Sequence, residues 1–215
     1  MPRWADVMIA AAVLTVLAPL LALISLAIAV SSRGPVLFRQ VRMGRDAELF
    51  VLLKFRTMQP GSDRGGRLTI GAGDPRVTAI GRWLRATKLD ELPQLINVVR
   101  GDMALVGPRP EVPEYRLRDC PAQDVTLAAR PGLTDPASIC FRDEVDLLAA
   151  QDDPDRYYRT VLLPAKCELS ADYLRRRTPG ADVAVLVLTA VAVLRGGSWA
   201  GPNGPTGNPI GGVPA

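Results

Sequence analysis

The sequence predicts a mostly helical α+β protein led by a long apolar helix, and three observations predict it. Residues 7–30 are uncharged and nearly all apolar. Residues 34–58 read as two strands around a turn. Residues 76–88, 92–99, 142–174 and 183–194 carry helical or continuous apolar patterns between Pro- and Gly-rich breaks. The 215 residues suit one domain with appendages.

The apolar segment has about 24 residues, enough to cross a bilayer. A cleavable leader has an apolar core of only about 7–15 residues. No clear A-x-A site precedes Ser31-Ser32-Arg33, so a retained membrane helix is expected. Pro19 lies near its middle, removes a backbone donor and should kink it. Arg33, Arg39, Arg42 and Arg45 follow the segment and place its downstream side in the cytoplasm. Arg3, upstream, does not oppose that. Two topologies fit equally: a straight span, or a helix that bends at Pro19 and returns to the same leaflet.

In the hairpin, Val36-Leu37-Phe38 opens, Met43-Gly44-Arg45-Asp46 turns and residues 49–55 return. Leu49, Val51, Leu53 and Phe55 would share one face, with Lys54 and Arg56 on the other. Two cations on one face can hold a phosphate, though a solvated strand end has the same spacing. Residues 59–74 read as a loop. In 76–88, Val77, Ile80 and Leu84 form a stripe beside Trp83, with Arg76, Arg82, Arg85 and Lys88 around it. That pattern suits a membrane interface and a helix packed on its own domain equally well. Residues 183–194 are too short to span and fit a core helix or a membrane-resting one. Residues 196–215, rich in Gly, Pro and Asn, read as a disordered tail. The expected organisation is therefore a membrane-embedded helix at 1–33, one folded domain at 34–195 and the tail.

The net charge of +4 suits phosphates or an acidic membrane surface. It is far from that of a dedicated nucleic-acid binder, and no aromatic-basic tract occurs. No histidine is present, which excludes His-based triads and His-ligated metals. Cys120, Cys140 and Cys167 form no CxxC pair and read as reduced thiols. Chemistry must then run on carboxylates, cations and hydroxyls, and a metal held by carboxylates would be hard, such as Mg²⁺.

Asp90-Glu91 is the candidate centre. Leu92-Pro93 follows the pair, with Pro93 suited to a first helical position. The positive end of that helix, with Arg85 and Lys88 upstream, favours phosphate. One carboxylate can attack phosphorus and the other can bind Mg²⁺. Alone, adjacent carboxylates are more often surface than site. Arg109, stiffened by Pro108 and Pro110, presents a fork suited to phosphate; a structural pairing with Asp102 or Glu111 is the alternative.

The motifs resemble those of the bacterial sugar transferases, the monotopic phosphoglycosyl transferases. The resemblance is carried, in order, by Gly34-Pro35-Val36-Leu37-Phe38-Arg39-Gln40, Lys54-Phe55-Arg56-Thr57-Met58 and Asp74-Pro75-Arg76. Leu89-Asp90-Glu91-Leu92-Pro93-Gln94-Leu95, Gly101-Asp102-Met103, Val106-Gly107-Pro108-Arg109-Pro110 and Arg130-Pro131-Gly132-Leu133-Thr134 complete it. It implies a re-entrant N-terminal helix, amphipathic interfacial helices and a catalytic domain on the cytoplasmic face of a bacterial inner membrane. The implied reaction moves a sugar phosphate from a UDP-sugar to undecaprenyl phosphate, in a ping-pong sequence through a phospho-sugar on Asp90. Glu91 is implied as the Mg²⁺ ligand. Lys54, Arg56, Arg85, Pro108, Arg109, Pro110 and Asp182 are expected to contact substrate. The oligomeric state, a homodimer included, stays open.

Two positions depart from the family pattern. Ala18-Pro19 stands where a Ser-Pro pair is usual, and Ser170 stands where an aspartate often precedes Tyr173, with Asp172 as a candidate substitute. An inactive lipid-binding adaptor is the rival reading. Retention of Asp90, Glu91, Lys54 and Arg109 argues against it.

Overall fold

The computed structural model describes residues 1–62 and 74–195. The middle of the expected 59–74 loop and the expected tail at 196–215 lie outside the described residues. Among the described residues the fold is mostly helical, with two small two-stranded sheets.

Helix α1 (Arg3–Ser31) continues through Pro19 and is long and apolar enough to cross a membrane. Its two halves enter different cores. Ala10, Val13 and Leu14 pack with Leu52, Leu95 and Val98, while Ile24 and Ile28 pack with Phe55 and Leu84. Hydrogen bonds hold both ends to the same body. Arg3 Nη1 donates to the Met103 carbonyl at 3.0 Å. At the other end, Arg56 Nη2 donates to the Ser32 carbonyl at 2.8 Å. The opposite face leaves Trp4, Met8, Val16, Leu23, Leu26 and Val30 exposed.

Strands β1 (Leu37–Met43) and β2 (Leu49–Phe55) form the expected antiparallel hairpin, with Phe38 opposite Lys54. β2 pairs in an unbroken register, so Leu49, Val51, Leu53 and Phe55 share one face as expected, but burial does not follow that face. Leu52, Leu53 and Phe55 are buried, while Leu49 and Val51 are exposed. Leu52 meets the core around Leu95, and α1 covers only the Phe55 end of the other face.

Helix α2 (Ala79–Ala86) begins three residues later than its periodicity suggests, because Thr78 Oγ1 accepts from Gly81 N at 3.0 Å and caps it. A Cβ on Gly81 would lie 2.0 Å from the Thr57 carbonyl oxygen, so only glycine lets α2 lie against that backbone. Leu84 is buried and Trp83 faces outward. Helix α3 (Gln94–Arg100) follows.

Strands β3 (Ala104–Val106) and β4 (Gly132–Thr134) pair in parallel. Three-residue strands carry too little pattern to be seen in sequence. A Cβ on Gly132 would lie 2.1 Å from Gly107 N, so the two backbones touch there.

The remaining helices are α4 (Pro121–Ala128), α5 (Pro136–Cys140), α6 (Glu144–Ala149), α7 (Pro154–Tyr157), α8 (Leu163–Arg175) and α9 (Pro179–Arg195). Proline opens α4, α5, α7 and α9, where its missing N–H costs nothing. The stretch expected to be helical at 142–174 is thus divided, with a π turn at Tyr158–Leu162 leading into α8. A third core gathers Tyr115, Phe141, Leu148, Tyr158 and Leu162. In α9, Val185 is buried while Val183 and Val187 are exposed.

Candidate active site

The chain reverses between α2 and α3. Lys88 takes the left-handed conformation (φ 57°, ψ 14°), and a single 3₁₀ turn, Leu89–Glu91, follows. Leu92 and Pro93 are already helical, and Pro93 is the N-cap of α3 rather than its first residue. Asp90 and Glu91 therefore stand one turn ahead of α3, in a turn continuous with it.

Glu91 is held by two cations from different elements. Arg109 Nη2 donates to Glu91 Oε1 at 2.6 Å and Arg109 Nη1 to Oε2 at 3.2 Å. Lys54 Nζ, on β2, donates to Oε1 at 3.1 Å. Burial alone would raise the Glu91 pKa, but Arg109 and Lys54 hold it well below the usual carboxylate range. Glu91 in turn raises the Arg109 pKa. Burial lowers that of Lys54 despite the Glu91 contact. The alternative pairings of Arg109 do not form: Asp102 accepts from Asn97 Nδ2 at 2.9 Å, and Glu111 accepts from Tyr158 at 2.8 Å.

Asp90 is 7% exposed, and its Oδ1 has no hydrogen-bond partner. Burial raises its pKa, opposed by Lys54. The two neighbouring carboxyls are thus pushed apart, Asp90 upward and Glu91 downward.

The other expected site residues divide. Lys54, Arg56, Arg85, Asp90 and Glu91 line one open cleft of roughly 1750 Å³. Arg85 Nε donates to Thr57 Oγ1 at 2.8 Å. Arg56 borders the cleft, but its guanidinium is engaged in closing the end of α1, on Ser32 O, Ser32 Oγ and Arg33 O. Pro108, Arg109 and Pro110 line a separate hollow of roughly 40 Å³, and Arg109 joins the cleft residues through Glu91. The Pro110 carbonyl accepts from Arg42 Nη1 at 3.0 Å.

The structure places Asp182 elsewhere than the expected substrate contact. It is fully buried at the start of α9, where it accepts from Tyr173 at 2.5 Å, from Arg177 Nε at 2.8 Å and from the Met1 ammonium. Buried donors account for its carboxylate, and it lines neither hollow. Ser170 donates to Asp135 Oδ2 at 2.6 Å inside the protein. Asp172, the candidate substitute, instead pairs with Arg175 at the surface.

A buried ion network behind Arg109 was not foreseen. Lys166 pairs with Glu144 at 2.7 Å and approaches Glu111 at 3.9 Å, while Arg42 approaches Glu111 at 3.6 Å. Its signal in sequence is faint: one lysine inside the apolar run Leu162-Leu163-Pro164-Ala165-Lys166-Cys167, and a glutamate directly after Pro110.

The donor set fits Mg²⁺. Among the described residues no cluster of three acidic or thiol side chains forms. Mg²⁺ is ordinarily held by one or two carboxylates, with waters and substrate phosphates completing its shell. Asp90 Oδ1 is unpartnered, and Glu91 Oε2 has one donor where Oε1 has two.

The site is a turn-borne carboxylate pair held by Lys54 and Arg109, in a chain that carries one helix long and apolar enough to cross a membrane. The chain belongs to the bacterial sugar transferase family, whose profile matches residues 1–196. It is 47% identical over 140 residues to UDP-glucose:undecaprenyl-phosphate glucose-1-phosphate transferase of Caulobacter vibrioides, covering 64% of this chain and 52% of that protein. It is 41% identical over 184 residues to undecaprenyl-phosphate glucose phosphotransferase of Komagataeibacter xylinus, covering 82% and 32%. It is 36% identical over 177 residues to undecaprenyl-phosphate galactose phosphotransferase of Salmonella typhimurium, covering 75% and 34%. The matched part of the chain thus spans between about a third and a half of these relatives.

Proposed function

We propose that this chain transfers a sugar 1-phosphate from a UDP-sugar to undecaprenyl phosphate, the first step in assembling a lipid-linked glycan. The observation that carries this is the buried Asp90 with an unpartnered oxygen, beside a Glu91 already clamped by Lys54 and Arg109. The relatives' names supply the two substrates.

In the first step an Asp90 oxygen attacks the sugar-bearing phosphorus. The bond from that phosphorus to the bridging oxygen breaks, and UMP leaves with the electron pair. Asp90 then carries the phospho-sugar. A phosphate oxygen of undecaprenyl phosphate attacks the same phosphorus, freeing the Asp90 carboxylate and forming the lipid diphosphate sugar. The raised pKa of Asp90 makes it the more basic nucleophile of the pair, while Glu91 stays ionised. Lys54 and Arg109 shift from Glu91 onto diphosphate oxygens as the donor enters. Glu91 would hold Mg²⁺, which would supply charge neutralisation on the diphosphate. The cleft beside Asp90 admits both substrates in turn.

The membrane topology proposed is re-entrant, with the catalytic residues on the cytoplasmic face. A straight crossing would put the two ends of α1 on opposite sides of about 30 Å of hydrocarbon. Here Arg3 and Ser32, at opposite ends, both bond to one body. A cysteine at position 2, with the native cysteines replaced, should stay unlabelled by an impermeant thiol reagent added outside intact cells. Labelling would remove the re-entrant topology.

The reaction is tested by incubating the membrane-reconstituted chain with a panel of UDP-sugars, undecaprenyl phosphate and Mg²⁺. At least one donor should release UMP, and excess EDTA should stop the release. Activity surviving in Asp90→Asn, or UMP release from none of the panel, would overturn the proposal.

A further inference from the structure

Asn97 is fully buried on α3 and touches neither hollow. Its side-chain amide nevertheless makes three directed hydrogen bonds. Oδ1 accepts from Leu53 N at 3.1 Å, and Nδ2 donates to the Val51 carbonyl at 2.8 Å. Val51 and Leu53 lie two apart on β2, so their peptide groups point to the same edge. β1 occupies the opposite edge. The amide thus serves β2 as a neighbouring strand would, offering one acceptor and one donor in register.

The third bond sets which way the amide faces. Nδ2 also donates to Asp102 Oδ2 at 2.9 Å. An ionised carboxylate only accepts, so Asp102 requires the nitrogen on its side and leaves the oxygen for Leu53 N–H. Asp102 is itself folded back onto this residue: Gly101 N and Asp102 N both donate to the Asn97 carbonyl, at 3.1 and 3.0 Å. Gly101 takes φ 108°, a conformation suited to glycine.

The consequence falls on the next residue of β2. Lys54 follows Leu53 and reaches Glu91 Oε1 at 3.1 Å. Glu91 and Asp90 stand in the turn that runs continuously into α3, the helix that carries Asn97. The clasp therefore joins the strand bearing the cation to the helix into which the carboxylate turn runs.

We propose that Asn97 and Asp102 form a positioning pair that holds Lys54 in register with Asp90 and Glu91. This rests on the phospho-sugar transfer proposed above. The pair touches no substrate and acts through the placement of β2 against α3. A displacement of about 1 Å at such a centre costs on the order of 100-fold in rate.

The test is rapid-quench labelling of Asp90 in the full chain in nanodiscs, using whichever UDP-sugar of the panel labels the wild type most strongly. Rate and final amplitude are read separately. Asn97→Asp puts a carboxylate against the Val51 carbonyl and Asp102. It should slow labelling on the order of 100-fold while reaching near wild-type amplitude. Adding Asp102→Asn restores a donor to the pair and should recover about tenfold or more of that rate. Asp102→Ala leaves Asn97 in place and unlocks its orientation. It should slow labelling about tenfold and serves if Asn97→Asp does not fold. Wild-type rates in these variants, loss of amplitude at an unchanged rate, or no recovery in the double variant would overturn the positioning role. A wild type labelled by none of the donors would instead remove the transfer reaction beneath it.

Discussion

Arg109 grips Glu91 through both terminal nitrogens of its guanidinium, at 2.6 and 3.2 Å. Two planar groups meet along their forks, a geometry that lysine cannot copy. Arg109→Lys should therefore lower kcat/KM for the sugar donor by roughly 100-fold, with the protein still folded. Steady-state UMP release checks this, and a loss below about threefold would remove Arg109 from the phosphate-handling set.

Removing the anion at the centre of the clamp should cost stability. Arg109 and Lys54 depress the Glu91 pKa. Its stabilisation is thus fully present above the ordinary glutamate value and is lost as pH falls through the depressed one. Glu91→Gln should destabilise the protein by roughly 2 kcal/mol at neutral pH, less than a fully buried pair would. The discount reflects the Arg109 side chain, which is 32% exposed. Chemical unfolding in detergent at pH 7 reads it; an unchanged midpoint would contradict it.

Asp90 carries the opposite sign. Burial raises its pKa, so the folded state prefers it protonated and its ionisation opposes folding at neutral pH. Asp90→Asn should be inactive yet unfold at a higher temperature than wild type near pH 7. The advantage should shrink as pH falls towards about 4, where the unfolded carboxylate also protonates. A variant no more stable than wild type at pH 7 would count against a buried nucleophile that burial keeps from ionising.

Arg56 ties the end of α1 to the catalytic body through the carbonyls of Ser32 and Arg33. Arg56→Ala leaves those acceptors without their charged donor and should cost roughly 2 kcal/mol. It should also speed tryptic cleavage after Arg33. Unchanged cleavage kinetics would show that α1 is held by its apolar contacts alone.

Gly132 meets the backbone of Gly107, two residues before Arg109. Because a Cβ on Gly132 would lie 2.1 Å from Gly107 N, Gly132→Ala must push β3 and β4 apart, at a cost of roughly 1–3 kcal/mol. Donor KM should rise as Arg109 shifts. A variant with wild-type KM would mean that the turn at Pro108 and Pro110 holds Arg109 without the strand pair.

Asp90, Glu91, Lys54 and Arg109 were legible as candidates because charged residues interrupt stiff or apolar local sequence, and because ordered motifs surround them. The hairpin was legible from its turn and strand composition, and α1 from its uncharged length. The enclosure of Asp182 was not legible because nothing local distinguishes a carboxylate facing a cleft from one enclosed by Tyr173 and Arg177. Asn97 escaped notice because an asparagine in an apolar helix looks ordinary until β2 is laid against it.

By itself the sequence determined the local elements: the long apolar helix, the hairpin, the carboxylate pair before an apolar helix and the chemistry open to a chain without histidine. These follow from composition and short-range periodicity, which act within a few residues. Only the tertiary structure decided partners. It joined Lys54 to Glu91 across 37 residues and Arg109 to Glu91 across 18, and it turned Arg56 onto the end of α1. Such pairings depend on how β2, α3 and the Pro108–Pro110 turn pack together. Burial then makes each choice costly to reverse, because a buried charge without its partner is strongly disfavoured.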